Sequence, residues 1–217
     1  MLAQVRGHPS ALLLIVQLLG VVLYPFMEST RAGAPSLAIF GMIVLYVTIR
    51  MVRRTPWLTW ISVGLAIPTS LLLLAQVVMA DQLQLVGWSS ALEAIFYFYA
   101  TGSLIAYMLA DRYATLDELF AVGATFTLLV WAFTHLFVVV QALHPGSFLA
   151  AVNPGQARTW SELMYLSFAL LSSTGIGDVI PVTVHARAVA SLAMFAGVMY
   201  LAMVVSRLIG LTLQPRR

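Results

Sequence analysis

Thr159-Trp160-Ser161-Glu162-Leu163-Met164-Tyr165-Leu166-Ser167-Phe168-Ala169-Leu170-Leu171 runs directly into Ser172-Ser173-Thr174-Gly175-Ile176-Gly177-Asp178. Thr159 followed three residues on by Glu162 is the spacing of a capping box, so a helix starts at Trp160. The apolar character holds to Leu171, and Gly175 and Gly177 then break the pattern. A helix of twelve residues rises about 18 Å, too little for a bilayer whose apolar core is roughly 30 Å thick.

The flanks make that shortfall informative. Long apolar runs stand on either side, at residues 119–143 and 184–213, and four more precede them at 10–27, 35–49 (or on to 52), 57–80 and 88–110. Each comes near the roughly 20 residues that a spanning helix needs. Hydrophobic types make up 61% of the 217 residues and charged types 9%. Soluble domains carry roughly 25% charged residues, so this composition has no means of covering a water-exposed surface. The expected class is an all-α membrane protein of six transmembrane helices, with the short helix dipping in between the fifth and sixth and returning as a loop. An alternative for the first run is a signal peptide, since Arg6 precedes it and Ala32-Gly33-Ala34 resembles a cleavage site. Its near-spanning length and Pro35 just after the cut argue against that.

All eleven basic residues are arginines. Six spans put both termini on one side. That side would hold Arg6, Arg50, Arg53, Arg54, Arg112, Arg207, Arg216 and Arg217, and the other Arg31, Arg158 and Arg187. Arginines favour the cytoplasmic side, so both termini are expected there and the segment before residue 184 faces outward, in a plasma (inner) membrane. Arg50, Arg53 and Arg54 anchor the chain or touch anionic lipid. There is no cysteine, no metal-ligand spacing and no nucleophile motif, and the eight acids are scattered. Enzymatic and nucleic-acid-binding readings have no support. The short stretches outside the first and last runs leave no room for a soluble ligand domain.

Non-helical backbone at membrane depth is tolerated only where protein buries it or where it lines a water-filled path. Gly175 and Gly177 admit backbone angles closed to other residues. Alternation of left- and right-handed angles turns successive carbonyls to one side, where they replace the water shell of a cation. The preceding helix aims its negative end at the same place.

These residues resemble the potassium-channel pore-loop superfamily, whose filter reads T-V-G-Y-G-D where this chain has Ser173-Thr174-Gly175-Ile176-Gly177-Asp178. The likeness covers residues 160–211 and includes Pro181-Val182-Thr183 and Gly197, nineteen positions after Asp178, which looks like the hinge glycine of the inner helix. The resemblance implies a selectivity filter formed by the carbonyls of Ser173, Thr174, Gly175, Ile176 and Gly177, with the Ser173 hydroxyl at the innermost site and K+ ions as the only bound species, without a cofactor. Asp178, Tyr165 and Leu166 would support the filter. Gly197, Val198, Leu201, Val205 and Ile209 would form the hinge and an apolar gate.

Four departures stand out. Ser173 replaces threonine but keeps the hydroxyl. Thr174 replaces valine with a near-isostere. Ile176 and Leu166 replace an aromatic pair together, and loss of both partners is gentler than loss of one. Ala169 stands where some members carry a buried acid, so Asp178 lacks that partner.

One loop supplies a quarter of a fourfold ring, so three identical subunits and the surrounding lipids are the implied partners. Residues 1–110 would form a four-helix peripheral bundle, 111–118 an interfacial linker helix or a solvated turn, and 119–217 the pore domain. Voltage sensing needs arginines along the fourth span. Residues 88–110 carry only Glu93, so steep voltage gating is not expected. Glu93 reads as a structural group bonded to a hydroxyl or to His135, with proton sensing as the alternative. The implied function is a tetrameric potassium-selective channel. Its rivals are a weakly selective cation channel of the same architecture and a non-conducting regulatory membrane protein.

Overall fold

A computed structural model describes residues 9–28, 33–52, 56–78, 83–110 and 116–212. Among them are seven helices: α1 (Pro9–Glu28), α2 (Gly33–Val52), α3 (Pro56–Val78), α4 (Leu83–Ala110), α5 (Leu116–Leu143), α6 (Trp160–Leu171) and α7 (Val184–Thr212). Three are long and apolar enough to cross a membrane: α4 over Val86–Leu109, α5 over Leu116–Leu143 and α7 over Val184–Arg207. Shorter apolar stretches lie in α1 (Pro9–Tyr24), α2 (Ile39–Ile49), α3 (Trp60–Ala75) and α6. Arg6, Arg31, Arg53, Arg54, Asp111, Arg112, Arg216 and Arg217, used above for orientation and for the linker, lie outside the described residues.

The central element is α5, which packs against α1, α4, α6 and α7. Its interior face holds Ala121, Ala124, Leu128, Val130, Ala132 and Phe137, all buried. Its threonines do not compete with that packing. The hydroxyls of Thr125, Thr127 and Thr134 donate to the carbonyls of Ala121, Gly123 and Val130, four residues back. A polar side chain satisfied within its own helix is tolerable in an apolar environment.

α5 begins at Leu116, three residues before the expected start. Residues 116–118, placed in the expected linker at 111–118, are continuous with α5. The reason is the pairing of Asp117 and Glu118, which lie at the helix N-terminus where negative charge is favoured. Asp117 accepts from the Ser10 amide at 3.1 Å and its hydroxyl at 2.9 Å. Glu118 meets Arg207 of α7 at 2.6 Å.

A second departure from the expected all-helical fold is a small antiparallel ribbon. β1 (Phe148–Ala150) pairs with β2 (Val179–Pro181) in the register Phe148↔Pro181, Leu149↔Ile180 and Ala150↔Val179. It joins the chain entering α6 to the chain leaving the loop. The seam continues through Val182 N–H to the Ser147 carbonyl at 2.9 Å and through the Ser147 and Thr183 hydroxyls, also 2.9 Å apart. Thr183 Oγ1 in turn accepts from the Ala186 amide in the first turn of α7.

Arg158, counted above among outward-facing charges, has a side chain only 1% exposed. It donates to the carbonyls of Val152, Asn153 and Gln156 and meets Glu162 at 3.1 Å. The loop before α6 is thus wrapped around a guanidinium. Replacing Arg158 with methionine keeps the stem but strips three carbonyls of their donor. The expected loss is roughly 3 kcal/mol, read as a lower midpoint of thermal unfolding in detergent, with Arg158→Lys falling in between.

Candidate pore loop

The N-terminus of α6 is built as its sequence predicts. Thr159 has extended backbone (φ −71°, ψ 164°), its hydroxyl accepts from the Glu162 amide, and the Glu162 carboxylate accepts from the Thr159 amide at 2.7 Å. The middle of the helix is fixed by Ser167, whose hydroxyl donates to the Val130 carbonyl of α5 at 2.8 Å. Gln141 exchanges two hydrogen bonds with the Arg158 backbone, at 2.8 and 2.9 Å, and ties the entry of α6 to the end of α5.

At the other end the chain folds back on the helix. The Ser172 and Ser173 amides donate to the carbonyls of Phe168 and Leu170, and the amides of Thr174 and Gly175 both donate to Ala169, at 3.1 and 3.2 Å. The Ser172 hydroxyl reaches the Phe168 carbonyl and the Thr174 hydroxyl. Left-handed backbone occurs at Ser173 (φ 59°) and Gly175 (φ 68°). Gly177 is not left-handed, so the alternation expected at Gly175 and Gly177 falls one step earlier. The physical reason is the reversal at the helix end: the amides of 173–175 reach back to α6, whereas Gly177 leads into β2.

Residues 172–178 are all exposed in the single chain. In the single chain Ile176 is 54% exposed and Leu166 is 3% exposed. Asp178 accepts from the Val179 amide at 2.9 Å. No hydrogen bond among the described residues joins it to Tyr165, the other polar residue expected to support the filter. Tyr165, Glu162 and Asp178 instead line one open hollow of about 330 Å3 beside the loop.

α7 buries Ala186, Ala190, Ala193, Tyr200 and Val204. Gly197 lies on the same seam by its spacing of three and four residues. The Tyr200 hydroxyl donates to the Val122 carbonyl at 2.6 Å. Val198, Leu201, Val205 and Ile209, the expected gate residues, are all exposed on another face. At Gly197 the backbone of α6 comes so close that an added Cβ would lie 2.6 Å from the Leu171 Cα and would overlap its carbonyl oxygen. Close approach at the end of α6 is thus a reason for glycine here independent of any hinge.

Sequence reasoning singled out Glu93 and His135, and they do meet, with Glu93 Oε2 3.2 Å from His135 Nδ1. It used Arg158 only as an outward-side charge, and it missed Gln141, Ser167 and the Ser147–Thr183 contact. The available signal was their polarity within or beside long apolar runs. Among the described residues no cluster of three or more His, Asp or Glu side chains could hold a metal ion.

A family model described as "Ion channel" matches residues 94–214, over half of the chain. No curated protein and no solved structure matches the chain.

Gly197→Ala tests the close approach. Because the neighbour is backbone, α7 must move away from Leu171, at about 1–3 kcal/mol. The expected result is a lower thermal midpoint than wild type, with Ala196→Gly as the control for helix propensity.

Proposed function

The chain belongs to the ion channel family, and from that premise we propose that it is a potassium-selective channel that conducts K+ passively as a tetramer. The observation that carries this reading is a twelve-residue helix ending in exposed, non-helical backbone whose amides turn back to the helix. Amides committed in that way leave the carbonyls of 173–177 for cations. Four chains around one axis bring four such loops together, and the ring replaces the hydration shell of a dehydrated ion. In this reading all six long apolar segments span the membrane and α6 is re-entrant. Both termini are cytoplasmic, and residues 1–110 surround a pore domain formed from 119 onward.

The carbonyls of Ser173, Thr174, Gly175, Ile176 and Gly177 and the Ser173 hydroxyl hold K+, and Asp178 and Tyr165 brace the outer mouth. Val198, Leu201, Val205 and Ile209 line the passage below, where an apolar constriction gates by closing or dewetting, and Gly197 is the pivot. The fourth helix has no arginine to move through the field, so opening is not steeply voltage-dependent.

One observation favours the weakly selective rival. Ile176 is apolar where the family's aromatic residue would brace the filter. A looser cuff holds the carbonyl ring less rigidly.

Purified protein in planar bilayers, with potassium on one side and sodium on the other, decides between them. The expected reversal lies near the potassium equilibrium potential. A reversal near zero with robust current assigns the weakly selective channel. No current across a range of pH, tension and lipid assigns the non-conducting reading. The double variant Leu166→Trp, Ile176→Tyr is expected to sharpen potassium over sodium or slow inactivation, and no change in either sinks the altered-cuff account.

A further inference from the structure

The ion path makes no use of the polar groups buried where α1–α4 meet α5 and the start of α6. The described residues there line a partly open cavity of about 310 Å3 that includes Tyr24, Glu93, Tyr97, Trp131, His135 and Trp160, with Arg158 at its edge already committed to Glu162 and the loop carbonyls. Glu93 and His135 are both buried, and although they lie 3.2 Å apart, His135 Nδ1 makes no hydrogen bond. Trp131 is 3% exposed and its Nε1–H has no partner. The rings adjoin one another: Tyr24 stacks on Trp160 at 4.0 Å, Tyr97 on His135 at 5.6 Å, and Trp131 meets Trp160 edge-on at 5.7 Å.

These groups make complementary demands. A carboxylate calls for a donor or a positive charge, and an indole N–H calls for an acceptor. Aromatic faces attract a cation, best of all a quaternary ammonium. Water can meet the two polar demands but gains nothing from the rings. The volume lies at the lower end of the roughly 300–1,000 Å3 found for small-ligand pockets. A second hollow of about 310 Å3, bounded by the loop residues Pro145, Gly146 and Pro154, shares Val86, Val138 and Gln141 with the first. It adjoins the first on the side of the loop.

We propose that this cavity binds a small organic cation bearing a hydroxyl, an amino alcohol of the choline type. The ammonium lies against Glu93 and the rings, and the hydroxyl accepts from Trp131 Nε1. Trp160 is the first residue of α6, so the occupant touches the pore helix at its first turn, well apart from the loop at 173–177. Free amino alcohol and the headgroup of a choline lipid share the quaternary ammonium and an oxygen that accepts from Trp131 Nε1, a hydroxyl in the first and a phosphate-ester oxygen in the second.

Scintillation proximity with tritiated choline, on the full chain in maltoside micelles, tests the site. The expected result is saturable binding that choline displaces and its uncharged carbon isostere does not. Glu93→Gln should weaken binding by about tenfold or more, the scale for truncating one partner of a buried charge contact. Trp131→Phe should weaken choline but spare tetramethylammonium, which has no acceptor to offer. Should Glu93→Gln fail to fold, the isostere and the tetramethylammonium arm decide on their own. To identify the source, protein purified from choline-lipid nanodiscs is assayed for retained lipid. Retention by wild type and loss in Glu93→Gln assigns the headgroup, whereas saturable binding of free choline without retention assigns the soluble amine.

The absence of both choline binding and lipid retention overturns the proposal. Equal displacement by the isostere also overturns it, as does binding unchanged in both variants, which would place the cation in the ion path. None of these outcomes depends on whether the channel conducts or selects potassium.

Discussion

Backbone that leaves a helix inside an apolar medium must find partners for its amides and carbonyls, because unmet groups there carry the full desolvation penalty. Residues 172–178 meet half of this demand locally. The amides of Ser172 to Gly175 return to the last turn of α6. The loop is therefore only as well placed as the helix it hangs from. That helix is fixed at three levels: Arg158, Gln141 and the capping box at its start, Ser167 against Val130 in the middle, and the Leu171 backbone against Gly197 at its end.

The magnitudes are in keeping with such fixing. A non-glycine residue in left-handed backbone, as at Ser173, costs about 1–3 kcal/mol. The amide bonds back to α6 and the Ser172 hydroxyl contribute roughly 1 kcal/mol each. The strain is thus offset within a few residues, without help from the peripheral helices. Ribbon β1–β2 adds a second constraint by holding the two ends of the loop segment together. The exit from the loop then passes through Thr183 into α7.

Much of this was legible in the sequence because it is local. The Thr159–Glu162 spacing placed the start of α6, and the glycines placed its end. The long apolar runs placed α4, α5 and α7 to within a few residues. What escaped was long-range. Asp117 and Glu118 read as a polar linker because their partners, Ser10 and Arg207, are distant along the chain. Arg158 read as an interfacial charge because nothing in its neighbours announces that three carbonyls will converge on it. A ribbon of three-residue strands has too few residues for any alternation to register. Gly197 was noticed, but its position gave no hint that a backbone, and not a side chain, would be its neighbour.

The contact between Ser10 and Asp117 has a consequence for how the protein is made. The two residues are 107 positions apart, so α1 leaves the ribosome long before its partner on α5 exists. Contacts of such separation close slowly because the intervening chain must first be confined. Through that interval α1 must be held by lipid or by its neighbour α2, with the buried first-turn hydroxyl still unmatched. Biogenesis thus has a built-in order. The early helices wait as a loosely joined set, and synthesis of α5 draws them together by supplying the carboxylate on which the start of the first helix rests.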